Sequence, residues 1–351
     1  MISREHKRFL TVLGLLALLG VIISFLKPPV ESVTATTFGG QTMGTYYIVT
    51  LAGVDVPDEE TDRLHRLVEA ELRDINQAMS TYIPDSEISR FNRFRETTPF
   101  PISPAFRTVM ERAFDLYEDL DGYFDPTLSP LINLWGFGHT GTPEEDPPFV
   151  EITLALDRVG LHRMQLTDEG LVKDAPDMEL NLSAIAKGFA ADQVADLLFN
   201  EGFVNVFVEI GGDLAVRGKN PAGGPWRIGI QVPERDGPED ILMVIGMEAG
   251  GMATSGDYRI FREHPEGFTH HILNPRTGRP AVSTLTSVTV IAKDCMTADA
   301  ISTGLFVMGT EAGLDWVNRH PGVEALFIDR VDGEFVRSAS DGFDRFVLES
   351  L

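Results

Sequence analysis

NLSAIAKGFAADQVADLLFNEGFVNVFVEI, residues Asn181–Ile210, decides the fold class, because it predicts a helix over Ala184–Phe199 that runs into a strand over Val204–Glu209. Strands dominate from there on: Arg227–Val232, Ile241–Ile245, Ser287–Ile291 and a pair around Asp332-Gly333, a dipeptide that favours a hairpin turn. Upstream, GTYYIVTLA (Gly44–Ala52) has the β-branched and aromatic residues of a strand, and Asp58–Met79 reads as a long amphipathic helix. Ser103 followed by Pro104 starts another helix, with Phe106, Val109, Met110, Ala113, Phe114 and Tyr117 on one core-facing stripe and Gly122 as its stop. Runs of strands with interspersed helices indicate an α+β fold rather than a doubly wound sheet. The Gly-rich stretch GKNPAGGPW (Gly218–Trp226) has neither Walker nor GxGxxG spacing, so it is expected to be a hairpin connection and not a phosphate cradle. No internal repeat occurs, and no low-complexity tract follows the N-terminal segment.

The 351 residues are 43% hydrophobic, enough for one large core or two modest ones, and carry a formal net charge of -24. That charge argues against nucleic acid and against a broad anionic membrane surface; a phosphate ligand would have to be held locally, by a metal, by Arg or Lys, or by helix amides. Phe9–Leu26 is a different object: eighteen uncharged residues after a head containing Arg4, Lys7 and Arg8. At about 1.5 Å per residue the run would reach across a bilayer core, and the basic head favours leaving that end in the cytoplasm. We therefore expect residues 1–30 to be a signal anchor in a bacterial inner membrane, with residues 31–351 forming one periplasmic domain. A cleaved signal peptide is the alternative, although Lys27-Pro28-Pro29 is a poor cleavage site. The single cysteine, Cys295, excludes an intramolecular disulfide and a multi-cysteine metal site.

CMTADAISTGL (Cys295–Leu305) places Asp299 and Thr303 four residues apart near the start of an apolar helix, so their oxygens share one face and could grip one hard cation. The competing reading is that Asp299 or Thr297 merely caps the helix. The Gly- and Ala-rich helix start NLSAIAKGFAAD and the compact SGDY (Ser255–Tyr258) add two more places where small residues let backbone approach something polar. Together they point to a ligand site.

Eight segments in order, QTMGTYY (Gln41–Tyr47), MSTYIPDSEISRFN (Met79–Asn92), FDPTLSPLINLWGFG (Phe124–Gly138), NLSAIAKGFAAD, VEIGGDL (Val208–Leu214), ATSGDY (Ala253–Tyr258), HHILNPRTGRP (His270–Pro280) and CMTADAISTGLFVMG (Cys295–Gly309), resemble the ApbE-type FAD:protein FMN transferases. The resemblance covers nearly all of the chain after the apolar segment. It implies an α+β fold of that family's kind, a mixed sheet with packed helices. It also implies FAD as substrate, a magnesium ion, and transfer of FMN to a Thr or Ser hydroxyl of an acceptor protein with release of AMP. That acceptor would be an exported flavoprotein subunit of the redox-pump or electron-transfer type.

Carried over by position, the resemblance places magnesium between the Ala184 carbonyl and Asp299, Ser302 and Thr303. The flavin nucleotide falls to Met43, Tyr82, the Trp135-Gly136-Phe137 turn, Asn181, Lys187 and Ile272, with Tyr82 and Trp135 offering flat surfaces to aromatic rings. Lys187 would set a point charge near the phosphates; its plainer reading is a surface lysine on a helix. His271 is the expected base, with His270 as its confounder. Asp257 is the second candidate for the base unless it only makes an Asx turn. Asn181 and Asn274 stand where the family commonly has aspartate, which exchanges a charge for two hydrogen-bond donors. The same site without acceptor docking would give a periplasmic FAD pyrophosphatase or an FAD storage protein.

Overall fold

In a computed structural model the protein is described over residues 34–141, 143, 145–235, 240–264 and 267–351. The expected anchor, Phe9–Leu26, lies outside the described residues. Among those residues no helix is long and apolar enough to cross a membrane.

The chain begins with the hairpin β1 (Ala35–Thr42) and β2 (Thr45–Ala52), then a run of helices: α1 (Asp58–Met79), α2 (Glu87–Arg93), α3 (Pro104–Asp119), α4 (Ser129–Leu134) and α5 (Phe149–Leu156). A small hairpin, β3 (Met164–Thr167) and β4 (Gly170–Lys173), precedes α6 (Ala186–Asn200). Of the strands that follow, β5 (Val206–Ile210), β7 (Trp226–Gln231) and β8 (Ile241–Met247) are expected from the sequence, whereas β6 (Asp213–Arg217), β9 (Ala249–Gly256) and the short β10 (Phe261–His264), β11 (Gly267–His270), β12 (Leu273–Asn274) and β13 (Arg279–Pro280) are not. The rest is β14 (Leu285–Ala292), α7 (Cys295–Met308), α8 (Thr310–Asn318), β15 (Glu324–Val331), β16 (Glu334–Ala339) and β17 (Val347–Ser350).

Eight strands form the main sheet in the order β1-β2-β5-β6-β9-β14-β15-β16. Every pairing in it is antiparallel, so the sheet is not mixed as expected. Helices come in runs between hairpins and do not cross over between parallel neighbours, which makes the arrangement α+β. One face packs Val49, Val208, Ala253, Val290 and Phe327 against the helices. The other packs Leu214, Met252, Ile291 and Ile328 against Trp226, Ile228 and Ile245 of a second sheet, β17-β8-β7. β14, covered on both sides, is buried at every position.

GKNPAGGPW is not a hairpin connection. It carries the chain from β6 in the main sheet to β7 in the second, and Trp226 Nε1 donates back to the Arg217 carbonyl at 3.0 Å. The Asp332-Gly333 hairpin forms as expected, both residues having positive φ (51° and 86°). Ser103 caps α3 by accepting the Phe106 N–H, and the expected stripe packs into the core.

The approach of α7 to its neighbours is set by two glycines. A Cβ on Gly188 of α6 would lie 2.3 Å from the Cys295 carbonyl oxygen, and one on Gly251 of β9 would lie 2.1 Å from the Cys295 nitrogen. Asp192 of α6 completes the contact by accepting the Cys295 and Met296 N–H groups at 2.9 and 2.8 Å. Since backbone atoms cannot move aside as a flexible side chain can, Gly251→Ala should destabilise the fold by about 1–3 kcal/mol, the usual cost of overpacking. Urea denaturation of the variant measures it; a loss below about 0.5 kcal/mol would mean that α7 slides freely on β9.

Candidate active site

α7 is capped neither by Asp299 nor by Thr297 but by Asp294, whose carboxylate accepts the Thr297 N–H at 2.7 Å. Asp299 therefore sits in the second turn, buried, with its side chain directed at α6. Its Oδ2 accepts the Gly188 N–H at 3.1 Å and its Oδ1 lies 3.5 Å from Lys187 Nζ. The helix α6 begins its own ladder one residue later, with the Phe189 N–H donating to the Ile185 carbonyl, so Asp299 takes up one of the N–H groups that a helix start leaves unpaired.

Lys187 is not a free surface lysine. Its ammonium is held between Asp299 of α7 and Asp213 at the start of β6, with a closer contact to Asp213. Burial works to lower its pKa, but the two carboxylates together hold it above the ordinary lysine range. For Asp299 the balance runs the other way: burial and the nearby Asp213 charge raise it, against the pull of Lys187 and the Gly188 N–H.

From the opposite side Ser255, near the end of β9, bonds Ser302 Oγ at 2.8 Å and Thr303 Oγ1 at 3.1 Å. Ser302 Oγ also donates to the Asp299 carbonyl at 2.9 Å. The Asp299 carboxylate and the Thr303 hydroxyl one helical turn on are oxygen donors of low total charge, the kind suited to magnesium, and the resemblance adds the Ala184 carbonyl to them. Among the described residues no cluster of three or more His, Cys, Asp or Glu could hold a metal, so a soft or multi-carboxylate centre is not what this geometry offers.

His270 and His271 divide their tasks. The buried His270 uses both ring nitrogens, Nε2 toward the Ala281 carbonyl at 2.9 Å and Nδ1 to accept the Ile272 N–H at 3.3 Å, and so holds its own loop. The half-buried His271 donates Nδ1–H to the Ile260 carbonyl at 3.0 Å, which leaves Nε2 as the lone-pair nitrogen. Burial, with smaller contributions from His270 and Lys187, pushes its pKa down to about 4. The imidazole is thus neutral across the physiological range. Phe137 meets the His271 ring edge-on at 6.3 Å, so the Trp135-Gly136-Phe137 turn reaches the same place.

The Trp135 ring itself is packed among Leu128, Leu131, Ile152 and Leu273, with Nε1 donating to the Gly278 carbonyl at 2.8 Å, so its faces belong to the core. Tyr82 is two-thirds exposed (67%), near His139 at 6.4 Å, and keeps an open ring. Met43 occupies the β1–β2 turn with φ 49°, a strained setting for a residue with a Cβ. Asn181 Oδ1 accepts the Ser183 N–H at 2.9 Å, and Asn274 Oδ1 accepts the Arg276 N–H at 2.9 Å, so both act as turn formers. Ile272 is buried beside His270, its carbonyl taken by the Ala281 N–H. Asp257 makes no Asx turn: buried, with Oδ1 lacking a hydrogen-bond partner and Oδ2 3.6 Å from Arg235, its pKa is raised by burial against that charge.

Asp213 and Ser255 were quoted in the motifs VEIGGDL and ATSGDY without a role, because only the pairing of β6 with β9, in which Leu214 lies opposite Met252, brings them over α6 and α7. Shape alone misses the site as well. A concavity of about 400 Å³ between α4 and α5, lined by Asn133, Leu134, Leu154 and Arg158, includes none of the residues around Lys187.

The sequence pattern described as the ApbE family matches residues 43–327. A Haemophilus influenzae protein named FAD:protein FMN transferase is 39% identical over 315 residues, 88% of this chain and 90% of its own. A Vibrio cholerae protein of the same name is 37% identical over 328 residues, covering 93% and 96%. Among solved structures, the flavin transferase ApbE from Vibrio cholerae superposes with a TM-score of 0.81 at 37% identity, covering 89% of this chain and 99% of that one. A Thermotoga maritima ApbE protein gives 0.79 at 29% identity over 90% and 100%.

The depressed His271 pKa has a direct readout. Its ring should show no protonation in an NMR titration from pH 8 down to about 5.5, and should titrate near pH 4. Because the unfolded histidine takes up its proton first, near 6.5, stability contributed by the neutral ring is present above that pH and is lost as pH falls through the folded value. A midpoint near 6.5 in the folded protein would show that the ring is not desolvated.

Proposed function

Because the chain belongs to the ApbE family, we propose that it is an FAD:protein FMN transferase that moves FMN from FAD onto a Thr or Ser hydroxyl of an acceptor flavoprotein and releases AMP. The observation that carries this is the convergence on α6 and α7 of the Lys187–Asp299 pair with the hydroxyls of Ser255 and Thr303, and of an uncharged His271 on the adjoining loop. The acceptor oxygen forms a bond to the FMN-side phosphorus while the bridging P–O bond breaks toward AMP. The hydroxyl proton passes to His271 Nε2, the nitrogen left as acceptor by the Ile260 contact. Lys187 sets positive charge beside the pyrophosphate, and much of the remaining rate comes from positioning. Magnesium, held by the Ala184 carbonyl, Asp299 and Thr303 with Ser302 behind them, would neutralise charge on the pyrophosphate oxygens. Met43, Tyr82, Gly136, Phe137, Asn181 and Ile272, with Trp135 as a buried support, make up the proposed flavin-nucleotide surface. Asp257 is the alternative base.

Incubating the protein with FAD, magnesium and a candidate acceptor tests the reading, with covalent FMN on the acceptor as the expected product. Free FMN and AMP in the absence of labelled acceptor would mean a pyrophosphatase, and unchanged bound FAD a storage protein. His271→Asn should slow transfer by about 10²- to 10⁴-fold with little change in FAD affinity. Loss of FAD binding in proportion to activity would make His271 a positioning residue and favour Asp257. Asp299→Ala should abolish magnesium-dependent turnover while leaving the melting transition cooperative; full activity at low magnesium would remove Asp299 from the cation site.

We also propose that residues 1–30 anchor the protein in a bacterial inner membrane and that residues 31–351 form the periplasmic transferase domain, where the acceptor is an exported subunit of a redox pump or electron-transfer complex. The support is the uncharged run Phe9–Leu26 behind a basic head. The protein should sediment with membranes and be cut by protease only from the periplasmic side. Recovery of a soluble form starting near residue 28 would show cleavage instead.

A further inference from the structure

Arg259 has no part in the site outlined above, yet it stands between the site's two halves. It lies just past β9, after Asp257 and Tyr258, and the carbonyl of the next residue, Ile260, accepts both the main-chain N–H and the Nδ1–H of His271, at 3.2 and 3.0 Å. On its other side the guanidinium lies across the β5–β6 turn, where a Cβ on Gly212 (φ 95°) would come within 3.3 Å of Nη1. Gly212 precedes Asp213, the partner of Lys187.

Arg259 is an exposed residue, and its side-chain hydrogen bond is to a neutral group: Nη2 donates to Gln231 Oε1 at 2.8 Å, with the Tyr258 ring 5.7 Å away. No carboxylate among the described residues lies within ion-pair distance of it, in a chain with 53 acidic residues against 29 Lys and Arg. Asp213, whose charge reaches it, is already engaged by Lys187. A planar cation held on one edge by a neutral amide, in no ion pair and one residue before the carbonyl that holds His271, is placed to meet an anion that arrives from solution.

We infer that Arg259 binds the phosphate oxygens of the nucleotide at the mouth of the site, an assignment that rests on the transferase reading above. Gln231 holds one edge of the guanidinium, and the absence of a side chain at Gly212 leaves room for the rest. Lys187, with its two carboxylates, supplies a positive point inside the site. Arg259 supplies the directional fork outside it, where FMN or AMP enters or leaves.

The test compares the full-length chain with Arg259→Gln and Arg259→Lys, measuring affinity for FMN, for AMP and for riboflavin, which has no phosphate. Arg259→Gln should weaken FMN, AMP or both by about 10- to 100-fold, the range for losing charge-assisted hydrogen bonds, with riboflavin unchanged. The FMN and AMP arms say which phosphate is gripped. Arg259→Lys, which keeps the charge and loses the fork, should fall between wild type and Arg259→Gln, and it carries the test if the glutamine variant does not fold. Unchanged affinity for both phosphate ligands, or an equal loss for riboflavin, overturns the assignment. A wild type that binds these ligands but never labels an acceptor would count against the transferase reading and leave the Arg259 result standing.

Discussion

At Gly188 the helix α6 lies directly on the backbone that begins α7, with no Cβ to separate them. The rest of the site depends on that contact. Only at such a distance can Asp299 of α7 take the Gly188 N–H, one of the donors that the start of α6 leaves unpaired. Lys187, one residue earlier, is carried by the same turn into the gap between α7 and β6, where Asp213 and Asp299 receive it. A packing constraint on one glycine thus fixes a carboxylate and an ammonium relative to one another.

The charges in that gap do not balance. One partly exposed ammonium faces two buried carboxylates, and burial and mutual repulsion raise Asp299 while both carboxylates hold Lys187 protonated. Such a group has room for added positive charge and would be stabilised by it, which is the electrostatic condition a divalent ion with a phosphate ligand requires. The neighbouring loop is arranged in the opposite sense. There His270 spends both nitrogens on structure, and His271 spends one and is kept uncharged by desolvation. An acidic cluster around one lysine thus stands near a loop whose free ring nitrogen is neutral, two different electrostatic settings in one region of the fold.

The antiparallel sheet makes the two regions neighbours. The β1–β2 turn at Met43, the β5–β6 turn at Gly211-Gly212 and the end of β9 at Ser255 fall at one end of adjacent strands, since Gly211 donates to the Tyr46 carbonyl and β6 pairs with β9. Segments more than two hundred residues apart in the chain therefore open onto one rim. The strand end carries Ser255 inward to the hydroxyls of α7 and, four residues on, Arg259 outward across the glycine turn.

Elements whose signals are local can be read without the structure. The α1 and α3 stripes, the Ser103 cap, the Asp332-Gly333 hairpin and the α+β class follow from periodicity, capping and turn chemistry, which act over a few residues. The i, i+4 relation of Asp299 to Thr303 was equally legible, because a helix fixes it. The tertiary structure alone decided what long-range pairing controls: that GKNPAGGPW joins two sheets, that Asp294 and not Asp299 caps α7, and that the Trp135 ring is spent on the core. It decided as well that Lys187 is held by Asp213, a residue whose partner is 26 positions away and reached only through the strand register. The His271 pKa belongs to the same class, since desolvation is the sum of everything packed around a ring, and no window of sequence contains that sum.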